Sequence, residues 1–193
     1  MFAIIGLGNK GDLYKNNRHN VGFFTIDHLL AKLQASMQLS EKFKAKISKT
    51  SILDHKVILI KPEQYMNNSG IPVQKILSYY NISTENTVVI HDDIDLPLTK
   101  CKIKRGGGSG GHNGVKSLDN YIGQNYLRIR IGISRPENQE DVTEYVLGNF
   151  NNSEKTQILK TIDCIVENFY LILENKLDHF ISTFENINLD KGL

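Results

Sequence analysis

Cysteine is scarce in this chain, and long hydrophobic runs are missing. Cys101 and Cys164 are the two cysteines among 193 residues, and they are far apart and form no CxxC pair. This argues against a disulfide framework and against a zinc ribbon. No apolar run approaches the roughly 18 residues that a membrane-spanning helix needs, and no charged segment precedes the first apolar run, so we expect no signal peptide. The lack of a disulfide pattern, of a membrane-spanning run and of a signal peptide predicts a cytoplasmic protein without a membrane partner.

The net charge is only +2, but it conceals a basic segment. Between Asp95 and Arg135 the chain has eight Lys or Arg residues and two Asp residues. A local positive excess in a nearly neutral protein indicates an anionic partner, and nucleic acid is the obvious candidate. The alternative is a solvated strand face with no binding role.

Strand-like and helix-like patterns alternate along the chain, which is typical of an α/β fold. Apolar or alternating runs predict strands at Phe2–Ile5, Lys44–Thr50, Val57–Ile60, Val88–Ile90, Lys100–Arg105 and Leu127–Ile133. Helical spacing predicts helices at Val21–Leu39, from near Pro72, from near Asn113, and at Asp141–Leu147 and Ser153–Lys176. We expect Lys44–Thr50 to be an edge strand with its lysines facing solvent.

These elements predict a single α/β domain, built as a twisted mixed β-sheet with helices packed on both faces. A content of 40% hydrophobic and 23% charged residues fits one globular domain of this length. We expect the domain to span residues 1–178, followed by a weakly ordered C-terminal tail at residues 179–193.

The loop after the first predicted strand holds the first candidate site. It runs from Gly6 to Gly22 and contains His19 between an arginine and an asparagine, so His19 is a candidate catalytic base, although a lone histidine is more often structural. The loop also matches the GxGxxG dinucleotide motif by letter. That motif requires its third glycine to open a helix and an acid near the end of a second strand. Here the helix begins later and Asp27 falls inside it, which argues against a nucleotide site.

Two further strand ends carry polar side chains. Tyr65, Met66 and Asn67 follow the strand Val57–Ile60, at the kind of position where open α/β sheets gather their sites. We expect Tyr65 and Met66 to be exposed, while Asn67, Asn68 and Ser69 could instead cap a helix. Asp92 follows the next strand and could orient His19, as a carboxylate does in a catalytic triad, or could ligate a metal ion.

A glycine-rich run from Gly106 to Gly111 lets the backbone approach a ligand closely. It leads into the helix that starts near Asn113, beside His112. The run also contains a GxSxG pattern centred on Ser109, which is typical of a nucleophile elbow when it forms one tight turn between strand and helix. This run is longer and looser than such an elbow.

Five segments, taken in this order, resemble the bacterial-type peptidyl-tRNA hydrolase family. They read GLGN with RHNVG, YMNNSG, HDDIDLP, GGGSGGHNG and RIRIGI. The resemblance covers nearly the whole chain and implies hydrolysis of the ester that joins a peptide to the 3′ ribose of tRNA. It implies that His19 is the base, that Asp92 supports it, and that Asn9 recognises the blocked, peptidyl state of the substrate. The chain departs from the family at Lys10, where proline is usual, and at Asn17, where threonine is common.

The resemblance also implies contacts with both parts of the substrate. The expected substrate-binding residues are Tyr14, Tyr65, Met66, Asn67, Gly111, His112 and Asn113. The expected contacts to tRNA phosphate are Lys102, Lys104, Arg105 and Arg130. Lysine and arginine on phosphate position a nucleic acid without reading its sequence.

The chemistry expected at this site is direct attack by water on the ester. An imidazole with an ordinary pKa near 6.5 suits a general base at neutral pH, and the Asn67 amide could donate to the developing oxyanion. We expect no covalent intermediate, no metal ion, no other cofactor and a monomer. The alternatives are a non-catalytic RNA-binding protein on the same scaffold, a serine esterase that uses Ser109, and a nucleotide-dependent reductase.

Overall fold

The computed structural model describes residues 1–136 and 141–187. Within these ranges the chain forms seven β-strands and six α-helices. They are β1 Phe2–Gly6, α1 Val21–Lys32, β2 Gln38–Ser40, β3 Ala45–Ile52, β4 His55–Pro62, α2 Gly70–Tyr80, β5 Thr87–Asp93, β6 Cys101–Arg105, α3 Asn113–Ile122, β7 Leu127–Gly132, α4 Val142–Leu147, α5 Asn152–Leu173 and α6 Leu177–Ile187. Within the same ranges, no helix combines the length and the apolar character required to cross a membrane.

All seven strands belong to one mixed sheet, in the order β2-β3-β4-β1-β5-β7-β6. The four central strands β4, β1, β5 and β7 run parallel, and β3 and β6 flank them in the antiparallel sense. The parallel strands read as nearly continuous apolar runs because helices cover both of their faces. Their carboxyl ends therefore meet at one edge of the sheet.

Two apolar clusters lie on opposite faces of the sheet. On one face Ile4 packs with residues of α1, α5 and α6, and on the other the neighbouring Ile5 packs with residues of α2 and α3. This alternation follows from the two-residue period of a strand. The prediction of a single α/β domain with helices on both faces of a mixed sheet is confirmed.

Glycine allows α1 to lie directly against the sheet. A Cβ atom added to Gly22 would lie 2.3 Å from the carbonyl oxygen of Ile90, and one added to Gly6 would lie 2.3 Å from the carbonyl oxygen of Gly22. Neither position tolerates a side chain, so the backbones of β1, β5 and α1 come into contact. The residues just before α1, His19 among them, are thereby held at the carboxyl ends of these strands.

Helix α1 ends at Lys32, so the prediction of a helix to Leu39 is wrong. Gln34 adopts a left-handed conformation with φ of 50°, and Ala35 donates its N–H to the carbonyl of Leu30 at 3.0 Å. This is a Schellman ending, which glycine usually supplies. Because glutamine fills that position here, the residue pattern contains no stop signal.

The residues after this ending form β2, which pairs with Ala45–Ile47. Strand β3 is therefore a free edge only beyond Ile47, and not along its whole length as predicted. Lys46 and Lys49 are exposed on it, in keeping with lysines that face solvent.

The segment predicted as a tail from residue 179 contains most of α6. Phe180 and Phe184, one helical turn apart, are buried in the cluster formed with α5. The expectation of a weakly ordered segment is therefore wrong as far as Ile187, and residues 188–193 lie outside the described residues. Two aromatic anchors on one face of a short helix are enough to dock this segment on the core.

We predict that α6 contributes to the stability of the domain. Replacing Phe180→Ala, at a side chain with 0% exposure, should lower the free energy of unfolding by about 3–5 kcal/mol, since a large buried ring leaves a cavity. The matched control Ile181→Ala removes a side chain that is 41% exposed and should cost far less. Urea unfolding of the three proteins measures the difference, and equal losses would contradict the packing of α6 on the core.

Candidate active site

A cleft of about 430 Å³ opens at the carboxyl ends of β1, β4 and β5. Each of these ends supplies a polar side chain: Asn9 after β1, Asn67 after β4, and Asp92 within the last residues of β5. The glycine-rich loop before α3 and the apolar face of α4 form the remaining walls. Parallel strands whose connections diverge on either side of β1 create such a crevice.

The centre of the cleft is a carboxylate between two histidines. The two carboxylate oxygens of Asp92 lie 2.8 and 2.9 Å from Nδ1 of His19. One of them, Oδ1, also lies 3.0 Å from Nε2 of His112. Sequence alone does not determine whether Asp92 reaches His19, and the geometry brings the two into direct contact. His112 was expected to bind substrate, and it also contacts Asp92.

The backbone at the start of α3 fixes the protonation of His112. Its Nδ1 accepts the N–H groups of Gly114 and Val115 at 3.1 and 3.3 Å, so the side chain caps the helix. Because Nδ1 is an acceptor, the proton of the neutral ring lies on Nε2 and is donated to Asp92. His19 likewise donates from Nδ1 to the carboxylate, which leaves its Nε2 as an acceptor without a partner among the described residues.

Asp92 remains ionised in spite of complete burial. Burial alone would raise the pKa of this carboxyl, but the charge and hydrogen bonds of His19 and His112 hold the pKa well below its usual range. A buried carboxylate is tolerated only when it is paired in this way. Asp92 therefore holds the His19 ring in one orientation through these contacts.

His91, the residue before Asp92, is a third histidine of this cluster. It donates from Nδ1 to the backbone carbonyl of Asp92 at 2.6 Å, and its ring stands edge-on to His112 at 4.8 Å between centroids. Burial, with the nearby charge of His112, lowers the pKa of His91 to about 3. The His91 ring therefore carries no charge at neutral pH, and it packs against the ring of His112. The sequence motifs do not reveal this role, because only burial in β5 distinguishes His91 from a ligand.

Asn9 connects the two ends of its own loop and joins that loop to the one that carries Met66. Its N–H donates to Oδ1 of Asn20 at 2.7 Å, Asn20 returns a bond to the carbonyl of Asn9, and Oδ1 of Asn9 accepts the N–H of Met66 at 2.9 Å. Since that oxygen is occupied by a donor, the amide nitrogen Nδ2 is the group that Asn9 offers to the cleft. Met66 itself is 5% exposed, so the expectation of an exposed Met66 is wrong, whereas Tyr65 is 56% exposed.

Arg18 anchors the turn that carries His19, a role that sequence reasoning also missed. Its guanidinium lies 4.3 Å from the centre of the Tyr145 ring and forms an ion pair with Glu154 at 2.9 Å. Asn17 donates to the carbonyl of Leu147 on the same side. These contacts connect the turn to α4 and α5, so the wall formed by α4 and the position of His19 are coupled.

The cleft brings together most of the predicted catalytic and substrate-binding residues. Those that line it are Asn9, His19, Tyr65, Met66, Asn67, Asp92, Gly111, His112 and Asn113. Tyr14 is half-buried in a short turn and does not line the cleft. Ser69 makes no capping bond at α2 and donates instead to the carbonyl of Met66. Ser109 lies in the wall, and within the described ranges its hydroxyl has no hydrogen bond to a histidine.

The predicted phosphate contacts divide between two sides of the sheet. Lys102 and Arg130 are paired across β6 and β7, so they share a face with Lys104. Arg130 is partly engaged, since its Nε lies 2.6 Å from Oδ2 of Asp93. Arg105 alternates to the other face and donates to the carbonyls of Glu85 and Asn125.

Comparison with known proteins identifies the family of this chain. The family model described as peptidyl-tRNA hydrolase matches residues 3–191. The chain belongs to the peptidyl-tRNA hydrolase family. The family and the class of enzyme that the sequence motifs indicate are thereby confirmed.

Relatives within the peptidyl-tRNA hydrolase family match over nearly their full length. The chain is 50% identical over 182 residues to the peptidyl-tRNA hydrolase of Rickettsia bellii strain RML369-C, covering 94% of this chain and 98% of the relative. It is 50% identical over 180 residues to that of Rickettsia prowazekii strain Madrid E, covering 93% and 97%. The crystal structure of peptidyl-tRNA hydrolase from Acinetobacter baumannii aligns with a TM-score of 0.90 at 33% identity, covering 95% of this chain and 94% of that one.

We predict that His91 makes folding depend on pH between about 6.5 and about 3. An unfolded histidine takes up a proton below about 6.5, whereas folded His91 does so only near 3. Stability is therefore full above pH 6.5 and falls by about 1.4 kcal/mol per unit as the pH drops. His91→Asn should remove this slope, and His179→Asn, at an exposed histidine, should retain it. Urea unfolding at several pH values measures both, and identical slopes in all three proteins would contradict a neutral, buried His91.

Proposed function

We propose that this chain cleaves the ester between the peptide and the 3′ ribose of peptidyl-tRNA, with His19 as general base and water as the nucleophile. The observation that carries the proposal is the hydrogen bond from His19 to the buried carboxylate of Asp92, which leaves Nε2 of His19 free toward the cleft. An imidazole held in this tautomer can accept a proton from water within hydrogen-bond reach.

The reaction then follows from where each charge develops. Nε2 of His19 takes the proton of the attacking water, the oxygen bonds to the ester carbonyl carbon, and the imidazolium is stabilised by Asp92. When the tetrahedral intermediate collapses, the bond to the 3′ oxygen of the ribose breaks and the proton passes from His19 to that oxygen. The products are a peptide with a free carboxylate and a tRNA with a free hydroxyl.

Two amides are suited to bind the acyl part of the substrate. Asn67 is exposed and lines the cleft, so its amide can donate to the developing oxyanion, an effect of about 10²–10³ in rate for one such donor. Nδ2 of Asn9 faces the same space because its oxygen is bound to Met66. It is suited to donate to a peptide carbonyl, which a free amino acid ester would not offer.

A reaction without a metal ion agrees with the protonation of the site. One atom each from His19, Asp92 and His112 lies within 4.8 Å of the others, a grouping that could hold a metal ion. However, a metal would need the lone pair of Nε2 of His112, and that nitrogen carries a proton because Nδ1 accepts two backbone N–H groups. Binding a metal there would require α3 to lose its cap.

A non-catalytic RNA-binding protein is the main alternative, and the site argues against it. Binding of phosphate requires neither a buried carboxylate nor a histidine held in one tautomer. A serine esterase is less favoured still, because the Ser109 hydroxyl has no hydrogen bond to a histidine among the residues that the structure describes, and a nucleophilic serine needs an adjacent base.

We predict that His19→Ala lowers kcat for an N-acetyl-aminoacyl-tRNA by about 10²–10⁴-fold, the usual contribution of a positioned general base. Binding of the tRNA should persist, since the basic residues are unchanged. The measurement is release of the N-acetyl amino acid in excess chelator, together with a binding titration.

The controls separate this proposal from the alternatives. His28→Ala, on α1 outside the cleft, and Ser109→Ala, which removes only a hydroxyl, should both retain activity. A wild-type protein that binds the tRNA and releases nothing would sustain the RNA-binding alternative. Loss of activity in chelator, or a covalent acyl group on Ser109, would contradict the proposed chemistry.

The face of β6 and β7 that carries Lys102, Lys104 and Arg130 is the proposed contact with tRNA phosphate. The lysines are exposed there, and this face adjoins the glycine-rich wall of the cleft. Contacts of this type add affinity for any tRNA, which suits an enzyme that must accept many of them.

We predict that replacing both Lys102 and Lys104 by alanine raises KM for N-acetyl-aminoacyl-tRNA and leaves kcat unchanged. The slope of log affinity against log salt should fall by about 0.7–0.9 for each bound phosphate that the double variant no longer neutralises. Lys160→Ala, an exposed lysine on α5 across the sheet, should change neither quantity. A salt slope that is the same in wild type and double variant would exclude these lysines from the interface.

A further inference from the structure

Arg128 is a buried cation that is bound by backbone carbonyls. It lies on β7 with 3% exposure, and no carboxylate of the described residues forms an ion pair with it. Its two terminal nitrogens donate to the carbonyl oxygens of Gly106, Gly107 and Gly108, the last two at 2.9 and 3.0 Å. The guanidinium therefore holds the first half of the glycine-rich loop.

This arrangement fixes the direction of three amide groups. In a planar trans peptide the N–H points opposite to the C=O of the same unit, and the described chain has no cis bonds. Since the carbonyls of residues 106, 107 and 108 point at Arg128, the N–H groups of Gly107, Gly108 and Ser109 point away from it. None of the three donates to an acceptor among the described residues, and Gly107 and Gly108 are exposed. Positive φ angles of 70° and 81° at Gly106 and Gly107 permit this path.

Two positive charges lie against this part of the loop. Arg128 polarises the three peptide units from behind, and within the described ranges no acid neutralises its charge. Lys104, paired with Arg128 on the neighbouring strand, also reaches the loop: a Cβ atom added to Gly107 would lie 2.7 Å from Nζ of Lys104 and 3.3 Å from a terminal nitrogen of Arg128. Successive free N–H groups beside a cation form an anion-binding site.

We propose that the N–H groups of Gly107, Gly108 and Ser109, together with Lys104, bind a phosphate group of the tRNA, and that Arg128 is the positioning residue of this site. The proposal rests on the proposed function. Because Ser109 also lines the cleft, this site adjoins the space proposed for the ester. Its source is either the terminal nucleotide of the acceptor end or the stem.

Binding alone gives the first test. Amide resonances of Gly107, Gly108 and Ser109 in labelled protein should shift and saturate with inorganic phosphate, and should not do so with sodium chloride at equal ionic strength. Adenosine 5′-monophosphate should reproduce the shifts, and adenosine should not, if the terminal nucleotide supplies the phosphate. Shifts with an acceptor-stem hairpin RNA and not with the mononucleotide would assign the stem. No selective shifts with any of these phosphates would overturn the proposal.

The second test removes a single amide. Gly108→Pro lacks one N–H, whereas Gly108→Ala keeps it, and a Cβ at this position has no atom within 4 Å. Compared with Gly108→Ala, Gly108→Pro should raise KM for N-acetyl-aminoacyl-tRNA about tenfold, the value of one hydrogen bond to a charged group, with kcat unchanged. Equal KM values in the two variants, or a lower kcat in Gly108→Pro alone, would overturn the assignment. An inactive wild type would refute the proposed function but would leave the amide shifts in place.

Discussion

The buried carboxylate of Asp92 is the constraint on which the site depends. An ionised group without solvent is stable only if donors surround it, and here each of the two donors comes from a different part of the chain: His19 before α1 and His112 at the start of α3. The bond that compensates the burial of the charge also fixes the tautomer of His19, while the backbone N–H groups of α3 fix that of His112. Stability of the fold and the orientation of the His19 ring are therefore two consequences of one interaction.

The scaffold supplies these donors through its backbone. Parallel strands bring β1, β4 and β5 to a common edge, and the close contact of Gly6 with Gly22 holds the start of α1 there. His112 links helix capping to chemistry, since the N–H groups of α3 determine which of its nitrogens faces Asp92. A capping residue of another type would begin the helix as well, but it would leave the carboxylate with one donor fewer.

Much of this could be predicted from the sequence, and the failures have physical causes. The central strands and the choice of His19 and Asp92 as candidate residues follow from apolar runs, strand ends and motifs, whereas the direct contact between the two side chains does not. The end of α1 at Gln34 does not, because a left-handed glutamine has no sequence signature. His91 and Arg128 escape prediction for another reason: each matters through its burial and its backbone partners, and these exist only once β5, β7 and the glycine-rich loop have been assembled.

Two buried charges lie at opposite ends of one short loop, and their partners differ. Asp92 is bound by histidines, which can exchange protons, whereas Arg128 is bound by peptide carbonyls, which cannot. The first arrangement suits proton transfer, and the second leaves a permanent positive field with amide donors directed outward. The loop from Gly106 to His112 connects them, with its carbonyls on Arg128 and its last side chain on Asp92. A substrate that carries a phosphate and an ester a short distance apart is the kind of molecule that matches both ends.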